Sequence, residues 1–238
     1  MKGFFDFDRF EELHETGFHT QEPYPFLNPL DLVHPEGWEQ LRAELPPIEL
    51  FDQKFGKRRY AGQIPHDRFS LEYDTSLAVS PAWKTFIEEL RSPRYRQIAC
   101  RLMGVRSMTL RFHWHYTPIG LGVSPHIDQQ RELGSHIFYF NSQEWSREWG
   151  GETVLLGSER IFRRRAAPRL NDFEHRVEAN CVGNRSLVFK GRKSAWHAVR
   201  PIECPPDEMR RVFIVVYNTT EAYWRVRDWL IGKQIQQF

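Results

Sequence analysis

The spacing of apolar residues changes near residue 104 from a helical period to a strand period. Upstream, Trp83, Phe86, Ile87 and Leu90 lie three or four residues apart and would form one buried face of a helix. Two Ser-Pro pairs, at 80–81 and 92–93, provide the N-cap and first-turn residues that helices favour. Helices are therefore predicted over 6–16, 36–45, 82–91 and 94–103.

Downstream of residue 104, apolar and polar residues alternate, as they do in a strand with one buried face. The stretch from Met108 to Tyr116 shows this best, with Arg111, His113 and His115 on its polar side. That polar side either lines a wet pocket or lies open to solvent. Further strands are predicted near 123–129, 135–141, 152–156, 173–182, 186–190, 196–202 and 211–218, with a flap or short strands in 51–78.

About eight short strands behind a helical N-terminus predict a double-sheet jelly roll with helices on one face. The fold class is α+β, mainly β. We expect one domain over 1–238, a length that suits a single sizeable core. Within it, 1–104 would supply helical support and a flap, 105–218 the β core, and 219–238 a C-terminal helix.

Composition narrows the possible partners. The 33 basic and 31 acidic residues leave a net charge of +2, which argues neither for nor against a polyanionic partner. We expect no nucleic-acid partner because nothing appended to the predicted barrel resembles a nucleic-acid recognition module. The basic run 163–165 is interpreted as a solvated loop or barrel rim, with an anionic or carrier-bound substrate as the alternative. Three scattered cysteines predict neither a disulfide framework nor a zinc site. Without an apolar signal core or membrane span, a cytoplasmic protein with no membrane partner is expected.

His126-Ile127-Asp128 is the candidate metal site. Strand residues at i and i+2 share a face, so His126 and Asp128 would present an imidazole nitrogen and a carboxylate oxygen to one point. His197 is the best candidate for a third ligand. Two histidines and one carboxylate leave octahedral positions open, as in non-haem Fe(II) oxygenases. The alternatives are a structural ion pair at 126 and 128, and a hydrogen-bonded core histidine at 197.

Five short motifs follow one another along the β region: His126-Ile127-Asp128, Tyr139-Phe140-Asn141, Gly150-Gly151-Glu152-Thr153, His197-Ala198-Val199 and Arg211-Val212-Phe213. In this order they resemble the Fe(II)/2-oxoglutarate-dependent dioxygenases, most closely the prolyl-hydroxylase-like branch. The resemblance implies a double-stranded β-helix, the cupin-like jelly roll, with Fe(II) bound by His126, Asp128 and His197. It also implies that 2-oxoglutarate and O2 are consumed, and succinate and CO2 released, as an unactivated C–H bond is hydroxylated.

The resemblance further implies a basic residue, on the last strand, that binds the distal carboxylate of 2-oxoglutarate. Arg210 and Arg211 are adjacent and face opposite ways, and alignment with the family's strand favours Arg211. Phe213 stands where many relatives have Ser, so a helper hydroxyl must come from elsewhere. His113 and Tyr139 are the candidates for further cosubstrate contacts, although a strand tyrosine is more often a core residue.

The predicted activity is hydroxylation of a small molecule or free amino acid. Prolyl hydroxylation of a protein is the enzymatic alternative, and a cupin-like metal-binding protein or a non-catalytic scaffold are the others. Asp128 argues against the related halogenases, in which Gly or Ala replaces the carboxylate. The sequence contains no indication of the oligomeric state.

Overall fold

The computed structural model describes residues 3–15, 17–57, 59, 63–163, 166–191, 194–221, 223, 224, 226, 237 and 238. The helices are α1 (Phe7–Glu15), α2 (Pro35–Ala43), α3 (Pro81–Arg91) and α4 (Pro93–Met103). The strands are β1 (Phe26–Leu27), β2 (Asp52–Lys54), β3 (Arg68–Glu72), β4 (Thr109–Pro118), β5 (Val123–His126), β6 (Glu132–Tyr139), β7 (Thr153–Gly157), β8 (His175–Ala179), β9 (Ser186–Lys190), β10 (Trp196–Val199) and β11 (Met209–Asn218).

Helices α3 and α4 begin where the Ser-Pro pairs predict. The hydroxyl of Ser80 accepts a hydrogen bond from the backbone N–H of Trp83 at 3.3 Å, and that of Ser92 accepts one from Tyr95 at 3.3 Å. Each bond satisfies a donor that the first helical turn leaves free. Gly104 ends α4 in the left-handed conformation, with φ of +68°. The apolar face predicted for α3 is buried.

Two antiparallel sheets form the β core. The major sheet has the strand order β1-β9-β6-β11-β4-β3-β2, and the minor sheet has the order β5-β10-β7-β8. The predicted double-stranded β-helix is confirmed. Residues 51–78 contribute β2 and β3, as expected of a region with short strands. Strand β1 was not predicted, because two residues are too few to show an alternation of apolar and polar positions.

The register of β11 decides which side chains enter the space between the sheets. This strand pairs with β4 on one side and β6 on the other. Phe213 and Val215 pack in the cluster that contains the helices, whereas Val212 packs in the cluster inside the barrel. Since alternate residues of a strand face opposite sides, Arg210 faces the barrel interior and Arg211 faces the helices.

An aromatic layer joins the helices to the outer face of the major sheet. Phe213 lies at its centre, with its ring centroid 4.9 Å from that of Trp83 on α3 and 4.8 Å from that of Trp114 on β4. All three side chains are fully buried. The helices therefore support the sheet from outside and leave its inner face available for the site.

Most residues of the C-terminal helix predicted over 221–237 lie outside the part of the chain that the structure describes. Phe238 is described, and its backbone exchanges hydrogen bonds of 2.8 and 3.0 Å with Leu110 at the end of β4. Among the described residues, no helix is both long and apolar enough to cross a membrane. The division of the chain at 104 and 218 stays a prediction.

Replacing Phe213 with Ala should lower the free energy of unfolding by about 3–5 kcal/mol, because it removes a ring at the centre of the aromatic layer and leaves a cavity. Urea unfolding followed by tryptophan fluorescence measures the loss. Ile161, which is 100 % exposed, is the matched control, and its replacement with Ala should change stability by less than about 0.5 kcal/mol. Equal effects in the two variants would contradict this account of the core.

Candidate metal centre

Two adjacent strands of the minor sheet bring the predicted ligands together. Strands β5 and β10 are antiparallel, and His126 is the register partner of His197. Side chains directly opposite on paired strands lie on the same face, and the two imidazole centroids are 4.2 Å apart. Asp128 lies two residues after His126, the last residue of β5, and turns toward the same point. The structure thus assembles all three residues that the motifs predict as ligands.

The donor atoms of this triad fit a divalent metal ion. The Asp128 Oδ1 atom lies 3.6 Å from His126 Nε2 and 3.5 Å from His197 Nε2. One donor atom from each residue lies within 4.8 Å of the other two. Two ligand atoms about 2.1 Å from an ion, at right angles to each other, are separated by roughly 3 Å, so a small inward shift completes the site.

Backbone carbonyls orient both imidazoles. The Nδ1 atom of His126 is 3.1 Å from the carbonyl oxygen of Ser124, and that of His197 is 3.2 Å from the carbonyl oxygen of Ala195. A carbonyl can only accept, so each Nδ1 carries the proton and donates it. This leaves Nε2 of each ring to bind a metal, and metal-ligating histidines usually donate their other ring N–H to a carbonyl or carboxylate in this way.

Burial and mutual charge give the three ligands different pKa values. Burial and the nearby His197 lower the pKa of His126 to about 3, so this ring is neutral. Burial opposes the charged form of His197, but Asp128 outweighs it and raises the His197 pKa. For Asp128, the histidine charges outweigh burial and lower the carboxyl pKa. Without a metal, Asp128 and His197 therefore each favour the charged form of the other.

The residue that enters the barrel at the start of β11 is Arg210, and the prediction of Arg211 in this place is wrong. Arg211 shares the outer face with Phe213 and lies opposite Tyr116, against the helices. Arg210 is buried inside, where its Nε donates to the carbonyl oxygen of Gly151 at 2.5 Å and its terminal nitrogen to Thr153 Oγ1 at 3.2 Å. Both faces of β11 are apolar, so the sequence alone could not show this orientation.

The double glycine between the sheets makes room for Arg210. A Cβ atom on Gly151 would lie 3.0 Å from Arg210 Cδ and 3.2 Å from the ring of Trp145. Gly151 also has φ of +81°, which side chains other than glycine rarely adopt. The interpretation that this motif serves a backbone requirement is confirmed.

Tyr139 and Thr153 complete a polar pocket around the Arg210 guanidinium. The Tyr139 hydroxyl donates to Thr153 Oγ1 at 3.0 Å, and the guanidinium carbon lies 5.5 Å from the tyrosine ring centroid. Burial raises the pKa of Tyr139 to about 12, so the hydroxyl keeps its proton. With Arg210 inside the barrel, the second residue after the arginine is Val212, which has no hydroxyl, and Tyr139 and Thr153 provide hydroxyls there instead.

The pocket around Arg210 and the metal ligands lie in one interior. His197 is the register partner of Leu155 on β7, and Thr153 is two residues from Leu155 on the same face. Two residues along a strand correspond to roughly 6.6 Å. The Arg210 pocket therefore lies about two strand residues along the barrel from the pair His126 and His197. This separation suits an extended dicarboxylate that spans the pocket and the metal site.

His113 faces the same interior but belongs to a different group of side chains. Its Nε2 lies 3.9 Å from Glu72 Oε1, and Glu72 accepts hydrogen bonds from Arg111. Burial, followed by the charge of Arg111, lowers the pKa of His113 well below its usual value, so the ring is neutral. No described contact joins His113 to the triad or to Arg210. The sequence left the polar face of β4 either lining a pocket or open to solvent. In the structure this face lines the barrel interior.

The segment between β2 and β3 contributes residues that the motifs did not indicate. The His66 ring centroid lies 4.4 Å from that of His126, and the carbonyl oxygen of His66 accepts a hydrogen bond of 3.1 Å from Arg68. Sixty residues separate His66 from His126, so no local pattern could place them together. The one available signal is the density of basic residues in this segment.

A jelly roll that presents two histidines and one carboxylate to a single interior point is the architecture of a non-haem metal enzyme. Residues 112–218 match the family model of the 2OG-Fe(II) oxygenase superfamily. The β core thus matches that superfamily, and the protein is an oxygenase whose cofactor and cosubstrates are Fe(II), 2-oxoglutarate and O2. No curated protein matches the sequence.

Solved structures share the fold at low sequence identity. A Pseudomonas putida prolyl-4-hydroxylase aligns with a TM-score of 0.59 and 12% identity, over 87% of this chain and 98% of the other. A Trichoplax adhaerens prolyl hydroxylase, solved with a hypoxia inducible factor peptide, gives 0.61 and 15%, over 89% and 91%. The carbocyclase SnoK from nogalamycin biosynthesis gives 0.55 and 14%, over 82% and 80%. These similarities establish the fold alone.

Affinity for a divalent metal should fall as the pH drops below the raised pKa of His197. Below that pKa the metal has to displace a proton from His197, which weakens binding about tenfold per pH unit, whereas above it the affinity should level off. Anaerobic Fe(II) titrations between pH 5.5 and 8.5 measure the dependence. The variant His113→Gln should show the same dependence, since His113 lies outside the triad, and a flat profile in the native chain would contradict the assignment.

Proposed function

We propose that the protein hydroxylates an unactivated C–H bond of a small molecule, with His126, Asp128 and His197 as its Fe(II) ligands. The supporting observation is that these three side chains and the buried Arg210 lie in one interior, one step apart along the barrel. When bound, Fe(II) with 2-oxoglutarate and O2 supplies the oxidising chemistry, and succinate and CO2 are released.

Each residue of the site then has a defined task. His126, Asp128 and His197 would hold the metal through one oxygen and two nitrogen atoms. Arg210 would pair its planar guanidinium with the distal carboxylate of 2-oxoglutarate, and the hydroxyls of Thr153 and Tyr139, which lie beside Arg210, would be available to the same carboxylate. The hydrogen bond to Gly151 holds Arg210 in place. No side chain is assigned as a general base, because the hydroxylation requires none.

A small-molecule substrate is favoured by the cover over the metal centre. His66 contacts His126 directly, and Gln63 donates a hydrogen bond of 2.7 Å to the carbonyl oxygen of Ala166 on the opposite segment. Two segments that meet over the site leave less room for a folded protein than for a small molecule. The cysteines are free thiols, which suits the predicted cytoplasmic location. Prolyl hydroxylation of a protein rests only on the shared fold.

The first test is anaerobic addition of Fe(II) and then 2-oxoglutarate, followed by visible absorption. A 2-oxo acid chelating Fe(II) gives a weak charge-transfer band, and we expect this band in the native protein. Arg210→Ala should raise the 2-oxoglutarate concentration needed for it by about 100-fold, because charge-assisted hydrogen bonds to the distal carboxylate are lost. Arg211→Ala, whose side chain faces the helices, is the matched control. A larger effect of Arg211→Ala would contradict the orientation of β11.

Single replacements of His126, Asp128 or His197 with Ala should reduce succinate formation from 2-oxoglutarate to background while the circular dichroism spectrum stays unchanged. Each removes one of three metal ligands. The exposed His175 on β8 provides the control, and His175→Ala should keep native turnover. Native turnover in any of the three ligand variants would exclude the triad as the metal site.

A further inference from the structure

The positive charge of this chain is concentrated in two segments. Residues 52–68 contain five basic and two acidic residues, and residues 158–169 contain five basic and one acidic. Their combined formal charge is +7, whereas the whole chain carries only +2. The rest of the molecule is therefore acidic on balance, and these two segments stand apart from it.

The two basic segments meet beside the metal centre. The hydrogen bond from Gln63 to Ala166 joins them directly. In the first segment, His66 lies on His126. In the second, the ring centroid of Phe162 is 5.9 Å from that of Trp196, the residue before His197. The described residues His66 and Phe162 thus place both segments beside the site and not on a remote surface.

Arg68 is half-buried and Arg59 is exposed, and both belong to the first basic segment. Arg68 begins β3 on the same side as Ser70, which lies opposite His115 in the barrel interior. Its Nε is buried without a hydrogen-bond partner, and one terminal nitrogen donates to the carbonyl oxygen of His66. The Nε of Arg59 donates to Gln63 Oε1 at 3.3 Å. Each guanidinium therefore keeps N–H groups for a ligand, in the segment whose His66 contacts His126.

The neighbouring carboxylates do not neutralise this pair. Burial lowers the pKa of Arg59 and Arg68, and Asp128 is the anion whose charge opposes that shift in both. Asp128, however, is the proposed metal ligand. Glu72 is paired with Arg111 at 2.9 Å. A partly buried cation without a counterion is unfavourable until an anion binds.

We infer that Arg59 and Arg68 form the binding site for an anionic group, a carboxylate or a phosphate, of the substrate that is hydroxylated. A guanidinium presents a planar fork of donors that matches either group. The surrounding positive charge would attract such a substrate and repel cationic ones. The statement that the anionic group belongs to the hydroxylated substrate rests on the proposed function. The statement that the ligand is anionic rests on the two arginines alone.

Binding of four small aromatic probes to the Co(II)-loaded full chain tests the inference. Benzoate and phenyl phosphate are anionic, benzamide is neutral and benzamidine is cationic. Ligand-detected NMR is performed with saturating 2-oxoglutarate, so that the probes cannot occupy the Arg210 pocket. Benzoate or phenyl phosphate should bind at least about tenfold more tightly than benzamide, and benzamidine should not bind measurably. Whichever of the two anions binds more tightly identifies the anionic group.

Three variants locate the site. Arg68→Gln and Arg59→Gln should each remove most of the preference for anions, and Arg68→Lys should restore part of it because the charge remains. Arg106→Gln is the matched control, since Arg106 is exposed between α4 and β4 on the helical side. Arg59 is exposed, so its variant tests the inference even if Arg68→Gln does not fold.

Several outcomes would overturn the inference. One is equal binding of benzoate and benzamide by a protein that shows the Fe(II)–2-oxoglutarate band, which leaves the proposed function intact. Another is a raised 2-oxoglutarate requirement in Arg68→Gln, which would assign Arg68 to the cosubstrate. A third is binding of a single-stranded DNA 12-mer without binding of either small anion, which would assign the basic segments to a polymer. Absence of the band in the native chain would instead refute the proposed function.

Discussion

The alternation of side chains along β11, fixed by its register with β4 and β6, is the constraint on which both halves of the structure depend. Its outward residues, among them Phe213, complete the aromatic layer that attaches the helices. Its inward residues begin with Arg210 and line the barrel. A shift of one residue would exchange these two sets, placing an arginine in the aromatic layer and a phenylalanine in the pocket. Packing of the outer face therefore holds the chemistry of the inner face in position.

Strand pairing performs the same task for the metal ligands. His126 and His197 lie opposite each other because β5 and β10 pair directly, and each ring donates Nδ1–H to a carbonyl two residues before it. The donor atoms are thus held by main-chain geometry and not by flexible loops. Asp128 and His197 each favour the charged form of the other, so the carboxylate has a partner before any metal binds. Such prior arrangement reduces the reorganisation that metal binding requires.

The barrel core and the two basic segments beside the metal centre contribute differently to function. The same fold occurs in a prolyl hydroxylase solved with a peptide and in a carbocyclase, so the barrel does not select a substrate. Selection has to come from what surrounds the metal. In this protein, two basic segments, 52–68 and 158–169, lie beside the metal centre. A hydrogen bond from Gln63 to Ala166 joins them. Loops on a rigid scaffold are where binding specificity usually resides.

Interactions between residues close together in the sequence determined the helices and strands and most of the metal site. Ser80, Ser92 and Gly104 set the helix ends, because capping depends on neighbouring residues only, and the i, i+2 spacing of His126 and Asp128 determined their common face. Long-range register decided the rest. Arg210 could not be distinguished from Arg211 on a strand whose two faces are both apolar. His66, Arg59 and Arg68 reach the metal centre only because β3 pairs with β4 across more than 40 residues, a distance that no periodicity within the chain records.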